Sequence, residues 1–448
     1  MKVRLIYALL LVVSLLLSAC GENPTLTRVP DNRPKLDPAS YPPILFVHGN
    51  GDQAAVWMNT IWLFESNGYP ADHLFTIDLK NPTASFDGNK PSPATTDNDA
   101  QRVQLAANVD EILAKTGAKK LALAGNSRGG LVIRNYVERG GGASKVSHII
   151  TGGTPNHGVL ALPLVFTGNE FNGNGDFQNA LNGDGQEVVP GIDYLAVRSD
   201  HYDKFAQPRS LASPLATGYV SPELKGATNI VLEGLDHRET SLSPRAFGEM
   251  YKFITGIEPR TDKVTPEANP RLSGRITGMY NDDLPTNTGL ADVKVSVFEV
   301  DSASGQRKGE AVYRGVTDAE GNWGNFTGRP DAYYEFMLES AGRPDHHYYR
   351  SPFPRSTNLV SYRMRSTPVV AGKTTVFFYR PRGYFSPSRD TFSLDGKALP
   401  GVEAGVPTIS QVAVTFSGPE RAIPAILNQE RITVRNIPGS VVFAEFSQ

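Results

Sequence analysis

Ser127 lies in Gly125-Asn126-Ser127-Arg128-Gly129, with the apolar run Leu121-Ala122-Leu123-Ala124 before it and a helix-like segment after it. A serine on a sharp strand-to-helix turn has its hydroxyl pushed clear of the sheet, and flanking glycines remove Cβ atoms that would clash there. Such a hydroxyl suits acyl transfer. It is a poor nucleophile at neutral pH, so the reaction needs a base, a group that orients the base, and donors for the oxyanion. Among eight histidines the candidate base is His237, which follows the apolar run Ile230-Val231-Leu232 and precedes a helical segment. Two aspartates in Arg198-Ser199-Asp200-His201-Tyr202-Asp203-Lys204-Phe205 could orient it, Asp203 or Asp200. The backbone N–H groups of Asn50, in His48-Gly49-Asn50-Gly51, and of Arg128 are candidate oxyanion donors. With 43 glycines among 448 residues, a G-x-S-x-G arises by chance in roughly a quarter of such chains, so the surrounding elements must support the reading.

Those elements alternate. Ile44-Leu45-Phe46-Val47 reads as a buried parallel strand ending in the His48 turn, and Val56 to Ser66 has helical spacing. Leu74 to Asp78 is a strand, Asp97 to Thr116 a helix, Lys119 to Ala124 the strand before Ser127, Gly130 to Glu138 a helix, and Val146 to Ile150 a strand. Tyr194 to Ser199 and Thr228 to Leu232 are the last core strands, closed by a helix over Pro244 to Ile257. Strands separated by amphipathic helices imply a mostly parallel sheet with helices on both faces, an α/β fold over 41–262. Residues 159–192, rich in Gly, Asn and Asp, interrupt the rhythm as an insertion or lid; their oxygens could hold Ca²⁺, but the ligand spacing is missing and a solvated cap is the plainer reading. After a linker near Glu258 to Asp262, the pattern becomes all-β, with Val293 to Val300 alternating at period two and a turn at Asp318 to Asn322. One sandwich or barrel is expected over 270–385 and a further β domain or extension over 386–448.

A formal charge of -2 and 40% apolar residues describe a globular chain with no basic field to attract nucleic acid. The N-terminus joins a basic start, an apolar run from Leu5 to Leu16, and Leu17-Ser18-Ala19-Cys20, which resembles a bacterial lipobox. Cys20, the only cysteine, is then the lipidated first residue after a signal peptide over 1–20, and 21–40 is a tether. The protein is expected on the bacterial cell envelope, at the outer membrane since Gly21 replaces the aspartate of inner-membrane retention, or secreted. Oligomeric state is left open.

The His-Gly turn, the G-x-S-x-G elbow, Thr154-Pro155-Asn156-His157-Gly158 and His237 together resemble the bacterial lipase/esterase group of α/β-hydrolases. Asn229 to Pro259 and His346-His347-Tyr348-Tyr349-Arg350-Ser351-Pro352-Phe353 resemble an archaeal lipase with a C-terminal β-barrel domain. The resemblance implies the order serine, acid, histidine, with the base just before the closing helix and oxyanion donors after the nucleophile and after the first core strand. It also implies that the β domain helps form the acyl-chain site. Asp203-Lys204-Phe205-Ala206-Gln207-Pro208 is similar to the D-x-x-V-x-P run of such acid loops, which favours Asp203, while Asp200 sits nearer the strand end.

This chain departs from the pattern in three places. Asn126 replaces the histidine common before the nucleophile. Arg128 replaces an apolar residue or glutamine after it, and could pair with a lid carboxylate, an acidic substrate group or a surface partner. Gly152-Gly153 stands where the archaeal relative carries its acid. The reading is a serine hydrolase of hydrophobic carboxylic esters that uses an acyl-enzyme and requires no metal or organic cofactor. A polyester depolymerase or acyltransferase is the alternative on the same fold, and a catalytically inactive surface-binding lipoprotein the alternative of another class.

Overall fold

The computed structural model describes residues 40–162, 164–206 and 222–448. Cys20, the signal peptide and nearly all of the tether lie outside the described residues. Six parallel strands, β1 (Ile44–Val47), β2 (Leu74–Ile77), β3 (Leu121–Asn126), β4 (Val146–Gly152), β5 (Asp193–Arg198) and β6 (Thr228–Val231), form one sheet in the order β2-β1-β3-β4-β5-β6. Every residue of β1 and β3 is buried, because both central strands are covered on two faces. Successive side chains of a strand point to opposite faces. Leu45 and Val47 accordingly join Leu105, Val109, Ile133 and Val137, while Phe46 meets Trp57 and Phe64 at ring distances of 5.0 and 5.8 Å.

Helices α1 (Met58–Ser66), α2 (Asn98–Thr116), α3 (Arg128–Arg139) and α6 (Pro244–Thr255) follow the sequence pattern closely, whereas the short α4 (Asp176–Asn182) and α5 (Glu239–Leu242) have no counterpart in it. Asp97 caps α2 by accepting from the N–H groups of Asp99 and Ala100, and Ser243 caps α6 through Ala246 N–H with Pro244 inside the first turn. The insertion contains α4, and its preceding loop is pinned by the buried Asn172 side chain, which donates to the carbonyls of Leu162, Val165 and Phe166.

Beyond residue 270 the chain is all β. Its strands are β7 (Arg271–Tyr280), β8 (Leu284–Gly289), β9 (Lys294–Val300), β10 (Tyr313–Val316), β11 (Asn322–Thr327), β12 (Tyr333–Glu339), β13 (His346–Arg350), β14 (Tyr362–Met364), β15 (Lys373–Tyr379), β16 (Phe392–Leu394), β17 (Gln411–Ser417), β18 (Ala422–Leu427), β19 (Glu430–Arg435) and β20 (Val441–Glu445). A seven-stranded sheet, β10-β9-β12-β13-β20-β15-β17, has four strands (β7, β8, β11, β14) against one face and three (β16, β18, β19) against the other. The region is therefore a stack of sheets.

Of the two expectations for 386–448, an extension of the preceding β region describes the strand pairing better than a further β domain. β20 runs parallel between β13 and β15, and β17 closes the same sheet, so both parts share one hydrogen-bond ladder. A shared core also joins the β region to the first domain. Met58 and Trp62 pack with Leu272, Phe336 and Phe353, and the Trp62 indole N–H donates to Ser356 O at 2.9 Å.

Candidate active site

The turn between β3 and α3 carries Ser127 at φ 54° and ψ -121°, a conformation that costs a residue with a side chain roughly 1–3 kcal/mol and persists only where its surroundings over-determine it. Here they do. Ser127 N–H donates to Gly152 O at 2.8 Å, and Ser127 O accepts from Gly130 N–H and the Thr154 hydroxyl. Glycine at 129 follows from close approach, since a Cβ there would lie 2.4 Å from Val47 O at the end of β1. Asn126, the unusual neighbour, is buried and donates to Ser241 Oγ at 2.9 Å and to His237 O at 3.4 Å. It ties the elbow to the segment that carries the base.

His237 Nε2 lies 2.8 Å from Ser127 Oγ, and its Nδ1 lies 2.8 Å from Asp203 Oδ1. Asp203 is fully buried, and its Oδ1 also accepts from the N–H groups of Phe205 and Ala206, both at 3.0 Å. Asp200 turns elsewhere, accepting from Ser199 Oγ, Tyr202 N–H and Gly234 N–H. Asp203 and not Asp200 is thus the carboxylate against the imidazole. The gap after β4 has a steric counterpart, because a Cβ on Gly153 would sit 3.2 Å from Asp203 Oδ2. The loop after β5 delivers a carboxylate to the space that the missing side chain leaves.

Arg128 directly follows Ser127 as the first residue of α3, at the positive end of a twelve-residue helix, and Asn50, in the turn after β1, lines the same cavity as the serine. Neither residue's N–H has a backbone acceptor among the described residues. His48 supports the turn without facing the serine. Its Nδ1 sits 2.8 Å from Gly49 O and its Nε2 accepts Leu79 N–H at 3.1 Å. Burial lowers its pKa below the usual histidine value, which keeps it neutral with the proton on Nδ1.

The site opens into a cavity of about 400 Å³ with Val159, Leu160 and Phe171 of the insertion, Phe205 of the acid loop and Tyr384 of the β region in its walls. A wider groove of about 750 Å³, bordered by Asp78, Arg275 and Trp323, has neither Ser127 nor His237 in its lining. Ser127 and His237 thus line the smaller, more apolar of the two.

A second frame, with no motif of its own in the sequence, surrounds His237. Asp236, next to His237, accepts from Tyr384 N–H at 2.7 Å and Arg389 at 3.1 Å, while Glu239 pairs with Arg380 at 2.7 Å and Arg389 at 2.6 Å. On the oxyanion side, Arg363 of β14 donates to Gly51 O and Asp52 O, and Asn287 of β8 to Asp52 O and Leu79 O. Arg238 pairs with Asp52 at 2.6 Å and donates to Pro381 O. The β region therefore grips both the loop that carries His237 and the turn that follows β1. The sequence signal was faint: charged residues on each side of His237 and scattered arginines more than a hundred positions later.

A family model described as palmitoyl protein thioesterase matches residues 43–213, and one described as lipase C-terminal domain matches residues 269–367. Among solved structures, the chain is similar to Aspergillus fumigatus lipase B at 15% identity and a TM-score of 0.36, over 51% of this chain and 56% of that one. It spans just over half the length of that lipase. It is similar to Bacillus licheniformis lipase BlEst2 in mature form at 22% identity and a TM-score of 0.32, over 47% of this chain and 89% of that one. It is also similar to phospholipase PlaB of Legionella pneumophila at 12% identity and a TM-score of 0.34, over 82% and 99% of the two chains.

Proposed function

We propose that this chain, a carboxylic ester hydrolase of α/β-hydrolase fold with a lipase-type C-terminal β domain, cleaves hydrophobic acyl esters through an acyl-enzyme on Ser127. The observation that carries the reading is the unbroken relay from Ser127 Oγ through His237 to Asp203, with both links at 2.8 Å. Ser127 Oγ attacks the ester carbonyl while His237 Nε2 accepts its proton, then returns that proton to the departing alkoxide. Asp203 holds the Nδ1–H tautomer and stabilises the imidazolium, and the N–H groups of Asn50 and Arg128 receive the oxyanion. Water then attacks the acyl carbonyl as His237 takes its proton, the bond to Ser127 Oγ breaks, and His237 returns the proton to that oxygen as the acid leaves.

The apolar walls of Val159, Leu160, Phe171 and Phe205 support a hydrocarbon acyl chain. The palmitoyl protein thioesterase match over 43–213 favours a second substrate class, long-chain acyl thioesters, which the same relay would cleave. Cys20 is proposed to carry the lipid that anchors the protein to the cell envelope at the outer membrane. More than one acyl chain, at about 0.8 kcal/mol per buried CH₂, gives a stable anchor.

Purified protein should hydrolyse p-nitrophenyl esters and react with a fluorophosphonate at Ser127. Inertness toward all acyl lengths and thioesters, together with no labelling of Ser127, would refute the enzyme assignment. The anchor is tested separately: in cells, Cys20→Ser should leave the membrane fraction, and retention there would count against lipidation.

A further inference from the structure

Arg128 does more than supply an N–H. Its guanidinium is 1% exposed and grips Glu170, itself 0% exposed, through Nε–Oε1 at 2.5 Å and Nη2–Oε2 at 3.0 Å. The remaining hydrogen bonds run to Pro82 O at 3.1 Å and Thr96 O at 2.7 Å. Pro82 O also accepts Gly51 N–H, and Ala84 N–H donates to the Asn50 side chain at 2.8 Å. One side chain thus gathers the loop that holds Asn50 and Gly51, the start of α2, and the insertion. Glu170 is held in turn by Gln178 of α4, which donates to its carbonyl at 2.9 Å, and Asn169 and Phe171 on either side of it line the cavity.

We propose that the Arg128 side chain is a positioning residue for the oxyanion hole, with Glu170 as its obligatory counter-charge. On this view the insertion is part of the catalytic frame and not an independent lid. The proposal rests on the function proposed for Ser127. A guanidinium presents its donors in a rigid fork, so four fixed acceptors define its place and, through Pro82, the place of the Asn50 turn. Removing the Glu170 charge leaves a buried cation with neutral acceptors but no counter-charge, which must draw in water or swing away. Either response releases Pro82 O, and Asn50 N–H loses its alignment with Arg128 N–H. Misplacing a catalytic donor by about 1 Å costs on the order of a hundredfold in rate.

The test is full-length Glu170→Gln, with kcat expressed per serine titrated by fluorophosphonate so that misfolded molecules do not count. The expected result is a kcat lower by about 10- to 100-fold for short and long p-nitrophenyl esters alike, with KM within about threefold. The inhibition constant of a trifluoromethyl ketone, which forms a tetrahedral adduct at Ser127, should rise in parallel. The acid limb of the pH profile should stay in place, because His237 and Asp203 are untouched. Glu170→Asp, which keeps the charge, should recover part of the loss. If the glutamine variant does not fold, Arg128→Lys, which keeps a charge without the fork, is read in the same way. A kcat per titrated site within threefold of wild type, or a loss confined to KM or to long chains, overturns the proposal. Wild-type protein that the fluorophosphonate does not label refutes the reading of Ser127 instead, and this proposal with it.

Discussion

Replacing Asp203 by asparagine tests the acid with a magnitude that the local hydrogen bonds fix. Asp203 Oδ1 accepts from His237 Nδ1 at 2.8 Å and from two backbone N–H groups at 3.0 Å, whereas buried Oδ2 has no hydrogen-bond partner among the described residues. An asparagine must turn its carbonyl to the Oδ1 position, since an NH₂ there would face two donors. The imidazole then keeps its Nδ1–H tautomer, and the reaction loses the negative charge beside the imidazolium. Two charges about 4 Å apart at an effective dielectric near 20 attract by about 4 kcal/mol, which at 1.36 kcal/mol per decade is a fall of about 10³ in kcat. Asp203→Ala also loses the orientation and should fall further, by about 10⁴. Asp200→Asn, which keeps an acceptor for Tyr202 or Gly234, should stay within about tenfold. Initial rates on p-nitrophenyl butyrate, normalised to fluorophosphonate-titrated serine, decide it. Asp203→Asn within tenfold of wild type, or Asp200→Asn down by three decades, would refute the reasoning.

Three further outcomes are expected. His346 donates from Nδ1 to Pro344 O and accepts Arg365 N–H at Nε2, and burial holds its pKa at about 4. The unfolded chain therefore takes up a proton on acidification before the folded one, and stability present above about pH 6.5 should be lost as pH falls toward 4, by up to about 3 kcal/mol. Urea midpoints of wild type and His346→Gln should converge at acid pH; a constant difference would contradict this. Gly129→Ala pushes a Cβ to 2.4 Å from Val47 O and 2.8 Å from His48 O, so thermal melts should show a loss of about 3 kcal/mol, and an unchanged melting temperature would show that the elbow can move. Truncation after residue 385 removes β17 and β20 from the seven-stranded sheet and should yield insoluble protein, because β13 loses one ladder partner and β15 loses both; a soluble, active fragment would show that the C-terminal part is dispensable.

The serine elbow, the alternation of strands and helices and the switch to β structure are legible in the chain, because each is set by short-range physics. Period-two or 3.6 spacing, glycines at a tight turn, and caps such as Asp97 and Ser243 need only a few neighbouring residues. The N-terminal strands and helices accordingly fall where the pattern puts them, within a residue or two at their ends. The resemblance to a lipase/esterase also rests on such local motifs; the family models cover the elbow and the His346 to Phe353 stretch but neither His237 nor Asn229 to Pro259.

Contacts between distant side chains had no such signature. Asp200 and Asp203 share one loop and one chemistry, and only the course of the chain after β5 brings Asp203 to a histidine 34 positions away. Arg128 was visible as an odd neighbour of the nucleophile, yet its partner Glu170 lies 42 residues on, in an insertion whose composition suggested a solvated cap. Arg389, 153 positions beyond Asp236, and β20, which completes a sheet begun about 150 residues earlier, are further cases. Local sequence dictates which groups are present and which turns they occupy. Which carboxylate meets which cation or imidazole is decided when separate elements pack into one low-dielectric interior, where a buried charge left unpaired is too costly to persist.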